Sequence, residues 1–333
     1  MPMNDTGIIL TLAYPETVVM HAEEWYSPFL KYLGIGNKTH VRAGHAALVL
    51  IDKATGVLEY HDFGRYITSR PNGRVRGRDT DCELAPPMQA KLVAGELVNL
   101  KAILRYLATH PEFTHGEGPL YASVCKKIDY QKARAFIDGM QDLHFIRYAA
   151  FIKAASNCAR FVTDTLIASV TDSKIKKRLL RSKWFTPSTV GNVLLSNTET
   201  AVYKVSTFGE VDVFKGSVMQ INRACFLDKL RGHGVSQVGT HLPKGDEHVV
   251  AHAQWLPGIA AGAWFELHPG TLENEYRFRR VSPQGHVDVD AIFIVQQHGF
   301  RYQQAYAFVH YSNCLFFHVE QHDTIYRFNR KYG

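Results

Sequence analysis

Residues 44–52 read Gly-His-Ala-Ala-Leu-Val-Leu-Ile-Asp, and residues 57–66 form a second strand-like run, Val-Leu-Glu-Tyr-His-Asp-Phe-Gly-Arg-Tyr. Only Lys53-Ala54-Thr55-Gly56 separates them, a hairpin signal with glycine where the turn calls for positive φ. This pair constrains the chain more than any other feature, because it commits the N-terminal part to adjacent antiparallel strands. If Asp52 pairs with Val57, residue 62 faces residue 47 and shares a side with His45, since side chains alternate along a strand.

The rest of the N-terminal part alternates between strand and helix patterns. Residues 7–13 (GIILTLA) read as a buried strand ended by Tyr14-Pro15, and residues 16–33 carry apolar residues at helical spacing. Residues 66–87 are rich in Arg, Gly and Asp and read as a long loop with room for one strand, before a helix over 95–109 and a strand over 120–125. Residues 129–141 and 156–170 repeat apolar positions at i, i+3, i+4 and i+7 and read as helices. The second opens with Ser156-Asn157-Cys158, residue types that cap helix N-termini. Residues 181–197 become polar and Pro/Ser-rich, the texture of a linker or rim loop, and the boundary falls near residue 198. Beyond it, short alternating runs between Gly, Pro, Asn and Asp turns predict an antiparallel β domain over 198–333.

Composition bounds the function classes. The chain has 333 residues, 46% hydrophobic and 21% charged, the balance of a globular protein with a sizeable core. No stretch reaches the roughly 18 to 20 consecutive apolar residues of a membrane span, and the start lacks the basic region of a secretory signal, so a cytoplasmic location is expected. Five scattered cysteines without a close pair argue against a disulfide framework or a structural zinc site and fit free thiols in a reducing compartment. The formal charge of +7 is spread along the chain, with local excesses at residues 70–78 and 174–183 that read as solvated patches, so nucleic acid is not an expected partner.

A catalytic cysteine attacks as its thiolate, which a helix N-terminus and a neighbouring imidazole both favour. Cys158 has the first by position, and His45, at the start of a strand, is the leading candidate for the second. The imidazole needs an acceptor to fix its tautomer and orientation, and the facing strand offers Glu59, His61 and Asp62. The expected register favours Asp62; a one-residue slip would substitute Glu59 or His61. Tyr14, after the first strand, and Arg65, first of the arginines in 65–78, are candidates for oxyanion or substrate contacts. Taken by spacing alone, the signal is weak: a lone cysteine on an amphipathic helix ordinarily packs as a small hydrophobe.

The combination of a GHAALVLID hairpin strand with a later N-C-A-R-F-V helix start resembles the circularly permuted NlpC/P60 arrangement, in which the histidine strand precedes the cysteine helix. The same order occurs in lecithin:retinol acyltransferase-like proteins, all papain-like in fold. The chain is also similar to a bacterial family without an assigned activity that carries A-x-P-E-T, G-H-A-A-L-V-L-I-D, D-F-G-R-Y, G-x-L-Y-A-S and N-C-x-R-F-V, here at residues 13–17, 44–52, 62–66, 118–123 and 157–162. The resemblance implies Cys158 as nucleophile, His45 as base and a third polar position within Glu59 to Asp62, where the second family favours Asp62.

These observations predict an α+β chain: a permuted papain-like domain over 1–197 with an antiparallel sheet and packed helices, followed by a β-rich domain. Its expected reaction is hydrolysis or acyl transfer at an amide, ester or thioester of a small peptide, lipid or acyl substrate, with no cofactor. The alternative is a catalytically silent binding module on the same scaffold. A metal site at His241, His248, His252 and His268, and a second nucleophile at Cys314, are weaker rivals. Trp255, Trp264, Phe265 and the segment 258–262 are candidates for a binding groove. The substrate and the oligomeric state are left open.

Overall fold

The computed structural model describes residues 5–231 and 249–332. Its N-terminal part is built on an eight-stranded sheet. Across the sheet the strands run Ile146–Arg147, Asn72–Arg76, Leu58–Gly64, His45–Asp52, Gly7–Tyr14, Leu120–Ile128, Tyr203–Val205 and Val211–Val213. Every pairing is antiparallel. Gly7–Tyr14 is buried along its whole length, which is why its run is apolar without alternation. On one face Leu10, Leu12, Val49 and Tyr60 pack against the helix Leu100–Thr109. On the other, Ile9, Leu48, Leu50 and Phe63 pack against the helices Tyr130–Asp142, Cys158–Ser169 and Ser173–Ser182.

The hairpin forms in the expected register. Asp52 N–H donates to the Val57 carbonyl at 3.2 Å, and Ala47 lies opposite Asp62. The Asp52 carboxylate accepts from Ala54 N–H at 3.0 Å and from the Thr55 hydroxyl at 2.8 Å, satisfying the turn locally.

Three local expectations change. Residues 16–33 do not form one helix: Val19–Met20 pairs as a strand with His40–Val41, and only Ser27–Leu33 winds, as a 3₁₀ helix closed by Gly34. Pro28 opens that helix and cannot sit inside a longer one that begins at residue 16, because it lacks the N–H the ladder needs. The segment 181–197 is not all loop; Thr189–Ser196 is a helix, capped by Ser188 and buried through Val190 and Val193. The domain boundary lies later than residue 198, because Tyr203–Val205 and Val211–Val213 extend the first sheet.

Among the described residues the second sheet has seven strands, in the order Gln254–Leu256, Ala263–Pro269, Glu275–Val281, Val287–Val295, Thr324–Arg330, Phe316–Gln321 and Ala307–Val309. Its two edges meet through the Gln254 side chain, which donates to the Tyr306 carbonyl at 3.0 Å and accepts from Phe308 N–H at 2.9 Å, so the sheet curls nearly closed. Phenylalanines fill it: the Phe278 and Phe317 rings stack at 4.3 Å, and the Phe317 and Phe328 rings at 4.6 Å. The fold class is therefore α+β with a β-rich C-terminal domain.

The two parts are tied by buried charge. Arg280, 1% exposed, reaches from the second sheet to Glu83 at 2.7 Å and Asp81 at 3.4 Å. Asp81 is also gripped by both terminal nitrogens of Arg74 at 2.6 Å. Cys314 N–H donates to the Thr80 carbonyl at 2.9 Å, and Arg330 donates to Cys82 Sγ at 3.1 Å. Removing one partner from such a buried group strands the others without water. Arg280→Ala is expected to lower stability by about 3–5 kcal/mol in urea titrations; a loss below about 1 kcal/mol would mean the interface does not rest on this side chain.

Candidate active site

The helix that carries Cys158 starts where it does because Asn157 caps it, accepting from Arg160 N–H at 2.9 Å. The Asn157 amide also donates to the Ala149 carbonyl at 3.0 Å. Arg160 donates to the carbonyls of Ala150, Ile152 and Ala155, each at 2.6 Å, so the loop before the helix is held against its first turn. Cys158 is 7% exposed and sits at the first helical position, where backbone N–H groups have no acceptor within the helix and favour negative charge.

His45 opens its strand beside this turn. Gly44 precedes it with φ +77°, and a Cβ there would stand 2.9 Å from Pro15 Cα, so only glycine lets the chain enter the strand this close to residue 15. The Cys158 thiol lies 3.9 Å from the Gly44 carbonyl. It is also close enough to His45 to act on that imidazole, whose Nε2 is 3.2 Å from Asp62 Oδ2. Burial pulls the imidazole toward its neutral form, but Asp62 and Cys158 outweigh it and raise its pKa to about 9.

Asp62 is fully buried and densely satisfied. Arg76, directly opposite on the next strand, donates to Oδ1 at 2.9 Å and to Oδ2 at 2.7 Å. The hydroxyls of Tyr60 and Tyr66 donate to Oδ2 at 3.2 and 3.1 Å. Burial opposes ionisation, yet Arg76 and the hydrogen bond from His45 hold the Asp62 carboxyl well below the usual carboxylate range. Arg76 also lies over the Tyr66 ring at 3.6 Å.

The structure thus brings Cys158, His45 and Asp62 together and separates the other candidates from them. Glu59 and His61 point to the opposite face of the strand, as alternation requires. Glu59 pairs there with Arg134 and the Tyr130 hydroxyl, and His61 Nε2 stands 3.6 Å from Glu59. Tyr14 offers its ring, stacked beside His45 at 6.4 Å, while its hydroxyl is committed to the Leu107 carbonyl at 2.9 Å. Arg65 is buried against the cavity, donating to the carbonyls of Met20 at 2.6 Å and His21 at 3.2 Å. Arg74 and Arg76 belong to a buried strand and serve Asp81 and Asp62, so they are not a solvated substrate-binding loop.

The roles of four residues escaped the sequence reading. Arg76, Tyr60 and Tyr66 complete the Asp62 environment, and Tyr148 lies beside Cys158 in the cavity lining. Strand alternation from Asp62 was a signal for Tyr60, but nothing in the chain pointed to Tyr148, which reaches the thiol through tertiary packing. All of this opens on a cavity of about 460 Å³ whose lining includes His45, Cys158, Tyr148 and His115. Burial and the nearby Arg76 and His45 push the His115 pKa down to about 3, so that imidazole is neutral.

The rival sites resolve differently. His252 is bonded to the Leu267 carbonyl at 3.1 Å and His268 to Glu266 at 3.2 Å; His241 and His248 lie outside the described residues. Among the described residues no group of three or more metal-ligating side chains converges. Cys314 is fully buried with its thiol 3.6 Å from the Asp79 carbonyl. Trp255 and Trp264 pair edge to face at 5.4 Å, and Phe265 belongs to the core of the second sheet.

Two measurements check these electrostatics. Asp62→Ala leaves Arg76 buried without its counter-ion and is expected to lower stability by about 3–5 kcal/mol in chemical denaturation; an effect under about 1 kcal/mol contradicts the arrangement. His45 has a folded pKa raised from 6.5 to about 9, so its stabilising contribution is fully present below 6.5 and is lost as pH rises through 9. The stability advantage of the wild type over His45→Gln should therefore shrink across that interval, and an advantage that grows with pH would reverse the sign.

Residues 9–175 match the model of the type VI secretion system effector TseH-like family, and residues 253–331 match the DUF6695 C-terminal domain. The crystal structure of the type VI secretion system effector TseH is similar with a TM-score of 0.39 and 16% identity, covering 64% of this chain and 100% of that one. No curated protein matches the chain. Among the described residues no helix is long and apolar enough to cross a membrane. Since the first match spans half of the sequence, and contains every residue of the Cys158, His45 and Asp62 cluster, the chain belongs to the TseH-like family of type VI secretion system effectors.

Proposed function

We propose that the protein is a cysteine hydrolase or acyltransferase of the effector class, acting on an amide, ester or thioester. The observation that carries this reading is the juxtaposition of Cys158 with His45, which is itself hydrogen-bonded to Asp62, at a helix N-terminus and on the wall of a cavity of about 460 Å³.

Cys158 attacks the substrate carbonyl carbon as its thiolate, its proton residing on His45, and a C–S bond forms. The developing oxyanion is met by the Cys158 backbone N–H and the Tyr148 hydroxyl. His45 then gives its proton to the leaving amine, alcohol or thiol as the carbonyl re-forms, which leaves a thioester on Cys158. Water, or another nucleophile, loses its proton to His45 and attacks the thioester, releasing the acyl group and restoring the thiolate. Asp62 stays ionised throughout because Arg76 neutralises it, and it holds the ring so that Nε2 is occupied and Nδ1 is left for the thiol.

Membership of an effector family also changes the reading of location. The cytoplasm is where the chain is made, and its substrate belongs to the place of delivery.

Iodoacetamide at pH 7 separates this reading from a silent binding module. Cys158 should be alkylated on the order of tenfold faster than free cysteine, with the labelled peptide identified by mass spectrometry, and His45→Ala should remove the advantage. Cys158→Ala should abolish effector toxicity in a recipient cell while leaving the thermal transition in place. Ordinary reactivity at Cys158 together with full toxicity of Cys158→Ala would overturn the proposal.

A further inference from the structure

The cavity beside Cys158 is not closed by the first domain alone. Ile259, Ala260, Ala261, Pro283 and Gln284 of the second sheet's loops line it together with Val18, Val19 and Met20 of the first domain. The second domain's part of this lining is fixed in place by backbone. Ile67 N–H donates to the Ala261 carbonyl at 2.8 Å and Ala260 N–H donates to the Arg65 carbonyl at 3.0 Å, a parallel bridge centred on Tyr66 and Ala261. That bridge joins the chain four residues after Asp62, through the same Tyr66 whose hydroxyl donates to the Asp62 carboxylate. Gly258 permits the approach: a Cβ there would stand 2.3 Å from Ile67 N and 2.8 Å from the Arg65 carbonyl oxygen, both backbone atoms that cannot move aside. Arg280, Cys314 and Arg330 pin the same interface further along.

We infer that the C-terminal domain is a working part of the catalytic site, whose loops at 258–261 and 283–284 form a selectivity wall for an acyl donor that carries an apolar group beside the scissile carbonyl. The inference rests on Cys158 being the nucleophile. Its chemistry follows from the residues that the two domains contribute to the lining. Ile259, Ala260, Ala261 and Pro283 from the second domain and Val18, Val19 and Met20 from the first are apolar, so an apolar side chain or acyl chain leaves water on entering among them. A charged group there would lose its hydration, and the two cations Arg65 and His45 that line the same cavity are already engaged, Arg65 with the Met20 and His21 carbonyls and His45 with Asp62. Selectivity then arises at residues remote in sequence from the nucleophile, on a domain that carries none of the three catalytic side chains.

The test uses the full chain and two active-site-directed alkylating probes, N-acetyl-phenylalanyl and N-acetyl-aspartyl chloromethyl ketones, each read as its second-order rate of Cys158 alkylation divided by the iodoacetamide rate of the same variant. Wild type should prefer the phenylalanyl probe on the order of tenfold, the discrimination that an aliphatic pocket supplies. Ile259→Asp and Pro283→Asp should each erode that preference, and the double variant should bring it near unity. Gly258→Val, which pushes the wall off residues 65–67, should do the same without placing a charge in the cleft. A preference that survives the double variant unchanged overturns the selectivity wall. Iodoacetamide reactivity no greater than that of free cysteine overturns the catalytic reading itself, so the two failures are told apart by the reference rate.

Discussion

The buried carboxylate of Asp62 is the constraint around which the first domain is arranged. An ionised side chain with no exposed surface costs several kcal/mol unless charge and hydrogen bonds replace the lost water. Arg76 supplies the charge from the strand directly opposite, and Tyr60 and Tyr66 supply hydroxyl donors. Because Arg76 already balances it, Asp62 can accept from His45 without taking its proton. His45 is thereby held beside Cys158, and these two neighbours keep the imidazole charged to a higher pH than a free one despite burial.

The same short strand serves the rest of the molecule. Arg74 and Arg76 are two apart in Asn72–Arg76 and so project to the same side of the sheet. Arg76 goes to Asp62 and the site, while Arg74 goes to Asp81, which in turn meets Arg280 of the second sheet. One strand therefore links the orientation of the His45 imidazole to the docking of the C-terminal domain. Tyr66 repeats the link in a different currency of contact: its hydroxyl donates to Asp62, and its backbone lies at the bridge to Ala261.

The second sheet is held by a different principle. Its core is a continuous set of phenylalanine rings, so its stability comes from apolar area and ring packing, with Arg280 the buried charge that meets the first domain and Glu266 buried on the other face of the sheet beside Arg279. The family match over 253–331 begins where its first strand begins, at Gln254, and the chain between the matched segments includes two strands and a helix that complete the first sheet and its cover. A domain boundary placed by composition alone misses this, because Tyr203–Val205 and Val211–Val213 look like any other short alternating runs.

Local features of the sequence determined the hairpin and its register, the helices around residues 130–142 and 158–169, and the shared side of His45 and Asp62. Each follows from short-range periodicity, from a four-residue turn or from a capping asparagine, which act within a few residues. They also made Cys158 and His45 stand out, since a cysteine after a cap and a histidine at a strand start are visible in one dimension. What only the tertiary structure decided is whatever joins residues far apart in the chain. Arg76 beneath Asp62, Tyr148 beside Cys158, the failure of residues 16–33 to wind into one helix, and the wall at 258–261 all depend on which surfaces are brought together. A sequence pattern reports the environment a residue prefers, and burial decides which partner provides it.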